Sequence, residues 1–449
     1  MIDFLFSRTP LRFFTEGIWR DEAFSYLLAK RPVAEIIALT AKDFNPPLYY
    51  VVLHYWMELF GSSQVAMRSL SLVFFTLGLF AVYETIKVIY GKTHRESLLY
   101  IALFALNPLV LFYAFEARMY TMLFFFAAAA NFFFLRKRRV AYTVVTVLGL
   151  YTHYFMALVI AAHMVYILVH RTETKRTLTF FARTLAPLVV SGLLFLPWFA
   201  YFVTHNDSAG GEFWISRLKP RDLFIAPAYI YSGIDRDFWA PLRDDLRLLP
   251  LLHAFTWYLL FILTLGVTAT RKRIASWNLT IFHTLGVIVP VVIVMAADIV
   301  KPLFLPRYLI FVSSAISLLT IYVISQLKGP LKWTLLILAI AFGIQFQSIQ
   351  MEYRNRDGFQ DVARAIEKVI MPDDLVYVRS ELDYMVAQYY LGEDRVYIYG
   401  KPYEDIPSYV GKILIPQNAV RTEYPRYPRK AFVINEDKSV EVQSDYLTR

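Results

Sequence analysis

About ten long apolar runs constrain this chain more than any other feature. They are Val65 to Tyr90, Leu98 to Phe115, Met119 to Leu135, Val140 to Tyr151, Tyr154 to His170, Phe180 to Val203, Pro250 to Thr270, Trp277 to Ala297, Tyr308 to Leu327 and Trp333 to Ile349. A helix crosses the hydrocarbon of a bilayer with about 20 mainly apolar residues, and most of these runs have that length. Composition agrees: 57% of residues are hydrophobic and 18% charged, against about 25% charged in a soluble domain. The fold class that follows is an α-helical polytopic membrane protein, with residues 65–349 as its transmembrane domain.

The formal charge of +10 raises the question of a nucleic-acid partner, and the placement of the basic residues answers it. They lie in alternate short loops: Lys92 and Arg95; Arg136 to Arg139; Arg171, Lys175 and Arg176; Arg271 to Arg273; Lys328 and Lys332. Loops of that kind stay in the cytoplasm, so the excess charge reports topology and no nucleic acid is implied. The protein is expected in the plasma or inner membrane, in contact with the lipid bilayer. The other loops then face outward: the opening segment, Glu116 to Arg118, Thr152 and His153, Thr204 to Leu249, Asp298 to Arg307, and the tail from Gln350. An outward opening segment with no span ahead of it is either translocated without a helix or has lost a first span, and the second is expected. Cysteine is absent, which excludes disulfides, thiolate metal sites and a thiol nucleophile.

Residues 1–64 read as a first extracytoplasmic loop with interfacial helices. Its stretch Gly17 to Pro47 is polar and carries two adjacent carboxylates, Asp21 and Glu22, on the first turn of a short helix. Leu48 to Gly61 is too short to cross and rich in Tyr and Trp, as suits a helix lying at headgroup level. Residues 350–449 change character: Phe359, Val362, Ala363, Ile366 and Val369 share one helical face, and Leu375 to Val378 and Val396 to Tyr399 read as strands flanking a helix near Glu381 to Tyr390. A small extracytoplasmic C-terminal α/β domain is expected there, with Pro-rich irregular structure toward its end.

Ionisable groups in a membrane are costly and usually functional. Here His163 is the main mid-span exception, and the other polar outliers gather at the outer ends. Asp21 and Glu22 suit a helix dipole by themselves. Glu116 and Arg118, followed by Tyr120, can be a local ion pair at a tight turn. His153, with Tyr154 after it, can be structural, and Arg307 and Tyr308 can be ordinary interfacial anchors. Each has that simpler reading, yet the topology places all four groups on one face. Two carboxylates at a water-facing membrane edge can supply a general base for an acceptor hydroxyl and an acid to orient it. Guanidinium forks match a phosphate leaving group, and apolar grooves between spans suit a lipid tail. Together they describe transfer of a group from a lipid phosphate to an acceptor outside the membrane.

The ordered series WRDEAFS, NPPLYY, LFG, AMRSLS, FEARMY, THYF and LPRYL, running from Trp19 to Leu309, resembles bacterial members of the GT-C glycosyltransferases, those similar to protein O-mannosyltransferases and the lipid A aminoarabinose transferase, and the resemblance covers roughly Trp19 to Leu327. The resemblance implies a GT-C fold, a polyprenyl-phosphate-linked sugar as donor, an extracytoplasmic acceptor (protein, lipid A or cell-envelope glycan) and inversion at the sugar carbon. It implies Asp21 as catalytic base with Glu22 beside it, and Glu116, Arg118, Tyr120, His153, Tyr154, Arg307 and Tyr308 as groups for the donor phosphate and substrate. The family pattern has a span before the acidic loop that this sequence lacks. Metal use stays open: Asp21, Glu22 and Glu116 are oxygen ligands of the sort Mg or Mn accept, and two arginines can neutralise a phosphate without one. Two other classes stay open as well, a transporter or flippase of a lipid-linked sugar and a membrane scaffold with an envelope-binding tail.

Overall fold

The computed structural model describes residues 9–171, 178–206, 214, 215, 217, 222–233, 277–353 and 358–446, and within them the apolar runs are helices. Three short helices come first: α1 (Arg20–Ala29), α2 (Val33–Ala41) and α3 (Leu48–Phe60). Gly61 stops α3 at φ 83°, a backbone conformation that costs a glycine nothing. The mainly apolar helices follow as α4 (Gln64–Glu84), α5 (His94–Ala105), α6 (Pro108–Tyr113), α7 (Tyr120–Leu135), α8 (Arg139–Thr152), α9 (Met156–Arg171), α10 (Leu178–His205), α11 (Asp222–Ser232), α12 (Trp277–Asp298), α13 (Ile310–Gln326) and α14 (Pro330–Tyr353).

Among the described residues, five helical stretches are long and apolar enough to cross a membrane: Gln64–Ile89, Leu185–His205, Asn278–Asp298, Pro306–Gln326 and Pro330–Ser348. The apolar helices Tyr120–Leu135 and Met156–Val169 are shorter. One expected span, Leu98 to Phe115, is two helices. Asn107 interrupts it: its side chain accepts from the Val110 N–H and Pro108 opens the next helix, the combination that starts a helix afresh. The expected span Pro250 to Thr270 and most of the loop Thr204 to Leu249 lie outside the described residues.

The chain divides into two compact units. One comprises Ser69–Ala200 and Ile215–Arg354. Its innermost element is α13, which packs against α7, α11 and α12; 89% of the Pro306–Gln326 window is buried, against 22% for Leu185–His205. A helix apolar on every side belongs in the middle of a bundle, and that is where α13 lies.

The other unit joins Met1–Arg68, Tyr201–Trp214 and Asn355–Arg449, so the opening segment and the tail fold together. In the tail, α15 (Phe359–Glu367) and α16 (Tyr384–Leu391) accompany a five-stranded sheet of β1 (Leu375–Val378), β2 (Val396–Tyr399), β3 (Val420–Arg421), β4 (Ala431–Ile434) and β5 (Val440–Gln443). The strand order is β3-β2-β1-β4-β5. Strand β1 runs parallel to β2 and β4, and β5 closes the edge antiparallel to β4. The two strands read from sequence coincide with β1 and β2; β3, β4 and β5 occupy the stretch expected to be irregular. Helix α16 packs on β1, β2, α15 and α1.

Candidate functional site

In the unit that holds the opening segment, the sequence predicts Asp21 and Glu22 as neighbouring catalytic acids, and the structure separates their employments. Both lie in the first turn of α1, and successive helical residues point 100° apart. The Asp21 side chain is 14% exposed and takes the Arg20 guanidinium at 3.1 Å. Glu22 turns inward and is fully buried with Arg68.

Arg68 is the residue that the sequence reading passed over, although AMRSLS contains it. Its Nε donates to Glu22 Oε1 at 2.8 Å and its Nη2 to Oε2 at 2.6 Å. The remaining donors go to backbone carbonyls: Nη1 to Phe13 at 2.8 Å, Phe14 at 3.1 Å and Glu16 at 2.7 Å, and Nη2 to Gly17 at 3.0 Å. A guanidinium in a dry interior persists only when its donors are met and its charge is paired. Arg68 therefore ties the approach Phe13 to Gly17 to the first turn of α1. The signal was an arginine at the start of a span, which needs a partner of opposite charge. Both Glu22 oxygens are thus taken by Arg68, whereas the Asp21 carboxylate meets its neighbour Arg20.

In the other unit, three turns bring the remaining candidates together. The turn ahead of α7 carries Glu116 and Arg118, both buried, and Ser71 donates its hydroxyl to the Glu116 carbonyl. The turn between α8 and α9 carries His153, also buried. The 3-10 turn Pro306–Leu309 carries Arg307 and Tyr308 ahead of α13. The Tyr308 ring lies 5.2 Å from His153 and 6.3 Å from Tyr120, and Tyr120 lies 6.2 Å from His153 and 4.6 Å from Tyr113. Glu116, Arg307 and Tyr120 all act electrostatically on Tyr113.

His153 sits in a turn, outside the spans on either side. Burial, and then the charges of Arg118 and Arg307, push its pKa down to about 3, so the imidazole is neutral. Its Nδ1 accepts from the Phe155 N–H at 3.1 Å, which leaves the proton on Nε2. Two guanidinium groups, a neutral N–H donor and two phenols thus share one locus, buried at Arg118, Tyr120 and His153 and half-buried at Arg307 and Tyr308, which suits an oxyanion. Asp298, which sequence reasoning also missed, accepts from the N–H groups of Leu303 and Phe304 at 2.9 and 3.3 Å, and so shapes the loop that leads to Arg307. Tyr154 points elsewhere: its hydroxyl accepts from Trp198 Nε1 at 3.3 Å and its ring lies 6.1 Å from Phe195.

His163 is a satisfied core residue. Its Nδ1 meets the Tyr142 hydroxyl and its Nε2 the Asn131 carbonyl oxygen, each at 2.9 Å, while its ring stacks on Phe134 at 4.3 Å. Among the described residues no group of three His, Asp or Glu side chains is arranged to hold a metal ion.

Residues 45–201 match the family model described as dolichyl-phosphate-mannose-protein mannosyltransferase. Among solved structures, ArnT from Cupriavidus metallidurans bound to undecaprenyl phosphate is similar with a TM-score of 0.59 and 14% identity, over 97% of this chain and 93% of that one. The same protein in the apo state gives 0.49 and 15%, over 93% and 88%. The archaeal oligosaccharyltransferase AglB from Archaeoglobus fulgidus, in complex with an inhibitory peptide and a dolichol-phosphate, gives 0.47 and 10%, over 92% and 65%. No curated protein matches the chain. With a likeness to ArnT running through nearly its whole length, the chain carries a fold similar to that of ArnT, and residues 45–201 of it match the mannosyltransferase family model.

Proposed function

We propose that this protein is an inverting membrane glycosyltransferase that moves a sugar from a polyprenyl-phosphate donor to an extracytoplasmic acceptor. The observation that carries the reading is the convergence of Arg118 and Arg307 around the His153 turn: their guanidinium groups lie 6.0 Å from the Tyr120 ring and 5.8 Å from the Tyr308 ring, and those rings lie 6.2 and 5.2 Å from the buried His153. A guanidinium pair beside an N–H donor stabilises the charge that develops on a phosphate as it leaves. The bound undecaprenyl phosphate of the ArnT structure supports the donor class.

In this reading the acceptor oxygen attacks the anomeric carbon from the face opposite the phosphate. The bond from that carbon to the phosphate oxygen breaks, the electron pair leaves with the polyprenyl phosphate, and the acceptor proton passes to Asp21. About ten spans and an extracytoplasmic placement of Asp21, His153 and Arg307 complete the proposal.

Asp21→Asn keeps the size of the side chain and removes its basicity. Transfer of radiolabelled sugar from the lipid-linked pool of native membranes is expected to fall by about 10²–10⁴-fold, the usual worth of a general base, with insertion unchanged. Undiminished turnover by that variant overturns the assignment. Binding of undecaprenyl phosphate is expected to survive Asp21→Asn and to be lost in Arg118→Gln with Arg307→Gln.

A further inference from the structure

The helix that carries Asp21 cannot hold its own position. Helix α1 has ten residues, of which Glu22, Ala23, Phe24, Ser25, Leu27, Leu28 and Ala29 are buried. Isolated helices shorter than about 12–15 residues are marginal in water, so the packing around α1 sets where its first turn points. Much of that packing comes from the far end of the chain. The Ile18 N–H, just ahead of α1, donates to the Tyr390 hydroxyl at 2.8 Å across 372 positions of sequence. The adjacent Tyr389 meets Tyr26 edge to face at 5.0 Å and donates its hydroxyl to the Ser62 carbonyl at 3.2 Å. At the other end of α1, Lys30 Nζ lies 2.6 Å from Glu393, with Arg31 3.8 Å from the same carboxylate. Midway, Gly411 at φ +86° comes so near that a Cβ there would stand 2.7 Å from both Phe24 and Met385.

From this three-point attachment we infer that α16 and the turn after it position Asp21, with Tyr390 as the positioning residue for proton transfer. The inference rests on the proposed role of Asp21. Tyr390 touches no reacting atom. Its hydroxyl fixes the backbone three residues before Asp21, where an N–H ahead of a helix has no partner within that helix. The tail is accordingly part of the machinery that orients the base.

Tyr390→Phe removes one oxygen and leaves the ring, so packing survives. In the full-length protein in nanodiscs, amide hydrogen exchange over residues 18–22 is expected to accelerate while the melting temperature stays constant. Transfer from the native lipid-linked pool at saturating donor is expected to fall about 10- to 100-fold, the cost of a small misplacement, with the half-saturating donor concentration unchanged. At the other end, Lys30→Glu and Glu393→Lys are each expected to slow transfer, and their combination to restore it. Full activity with protected amides in Tyr390→Phe overturns the inference, as does a loss that follows global melting. Asp21→Asn is assayed alongside: if it turns over normally the functional reading falls, while the exchange data still judge the brace.

Discussion

Arg68 and His153 illustrate opposite solutions to a buried basic group. Arg68 has its charge paired by Glu22 and its other donors met by four backbone carbonyls. Removing one member of such a pair leaves the other charge stranded, at a cost of about 3–5 kcal/mol. Arg68→Met is expected to destabilise the protein on that scale, and Arg68→Met with Glu22→Leu to recover part of the loss, since the second change removes the stranded carboxylate; thermal unfolding in detergent measures both. His153 gives up its charge. Its folded pKa, about 3, lies below the free value of 6.5, so the unfolded chain binds the proton more readily. Stability is then expected to decline as the pH falls below about 6.5 and to go on declining toward 3. His153→Asn, which cannot titrate there, should show a shallower decline between pH 7 and 4.

Among the elements, the break between α5 and α6 depends on one side chain. The Asn107 amide donates to Ser313 Oγ at 2.9 Å and Ser317 Oγ at 2.8 Å, while its oxygen accepts from the Val110 N–H at 3.0 Å and from Ser313 Oγ at 3.1 Å. Asn107→Leu therefore strands buried groups on α13 and uncaps α6, with an expected loss of about 1–3 kcal/mol, visible as a lower melting temperature. Sequence periodicity could not show this break, because Leu98 to Phe115 is apolar enough to read as one span and the partners of Asn107 lie 206 and 210 positions away. The helices themselves were legible, since about twenty apolar residues in a row have few alternatives. Strands β1 and β2 were legible as apolar runs beside a helix, whereas β4 and β5 were masked by the prolines before them. At the site, the turn at FEARMY, His153 and the turn at Arg307 were legible through alternation of basic loops. The pairing of Glu22 with Arg68 was not, because charge pattern says nothing of which residues meet across 46 positions.

For the molecule as a whole, the distribution of charged groups bears on metal use. One unit gathers Arg118 and Arg307 at a single locus, and the other commits Glu22 to Arg68. If the guanidinium groups neutralise the leaving phosphate, transfer is expected to continue in a chelator at an unchanged rate. Loss of activity in EDTA that Mg or Mn restores would show that the charge is met another way.

The hydrogen bond from Ile18 to Tyr390 also has a meaning in time. Its partners are separated by 372 residues, and at 5–20 residues per second a ribosome needs roughly 20–70 s to go from one to the other. Helix α1 is made early, and its support is made only after every span between them. A chain released before Tyr390 has its acidic segment and its apolar helices but lacks the partner of Ile18, so on the proposed reading incomplete products are expected to be catalytically silent.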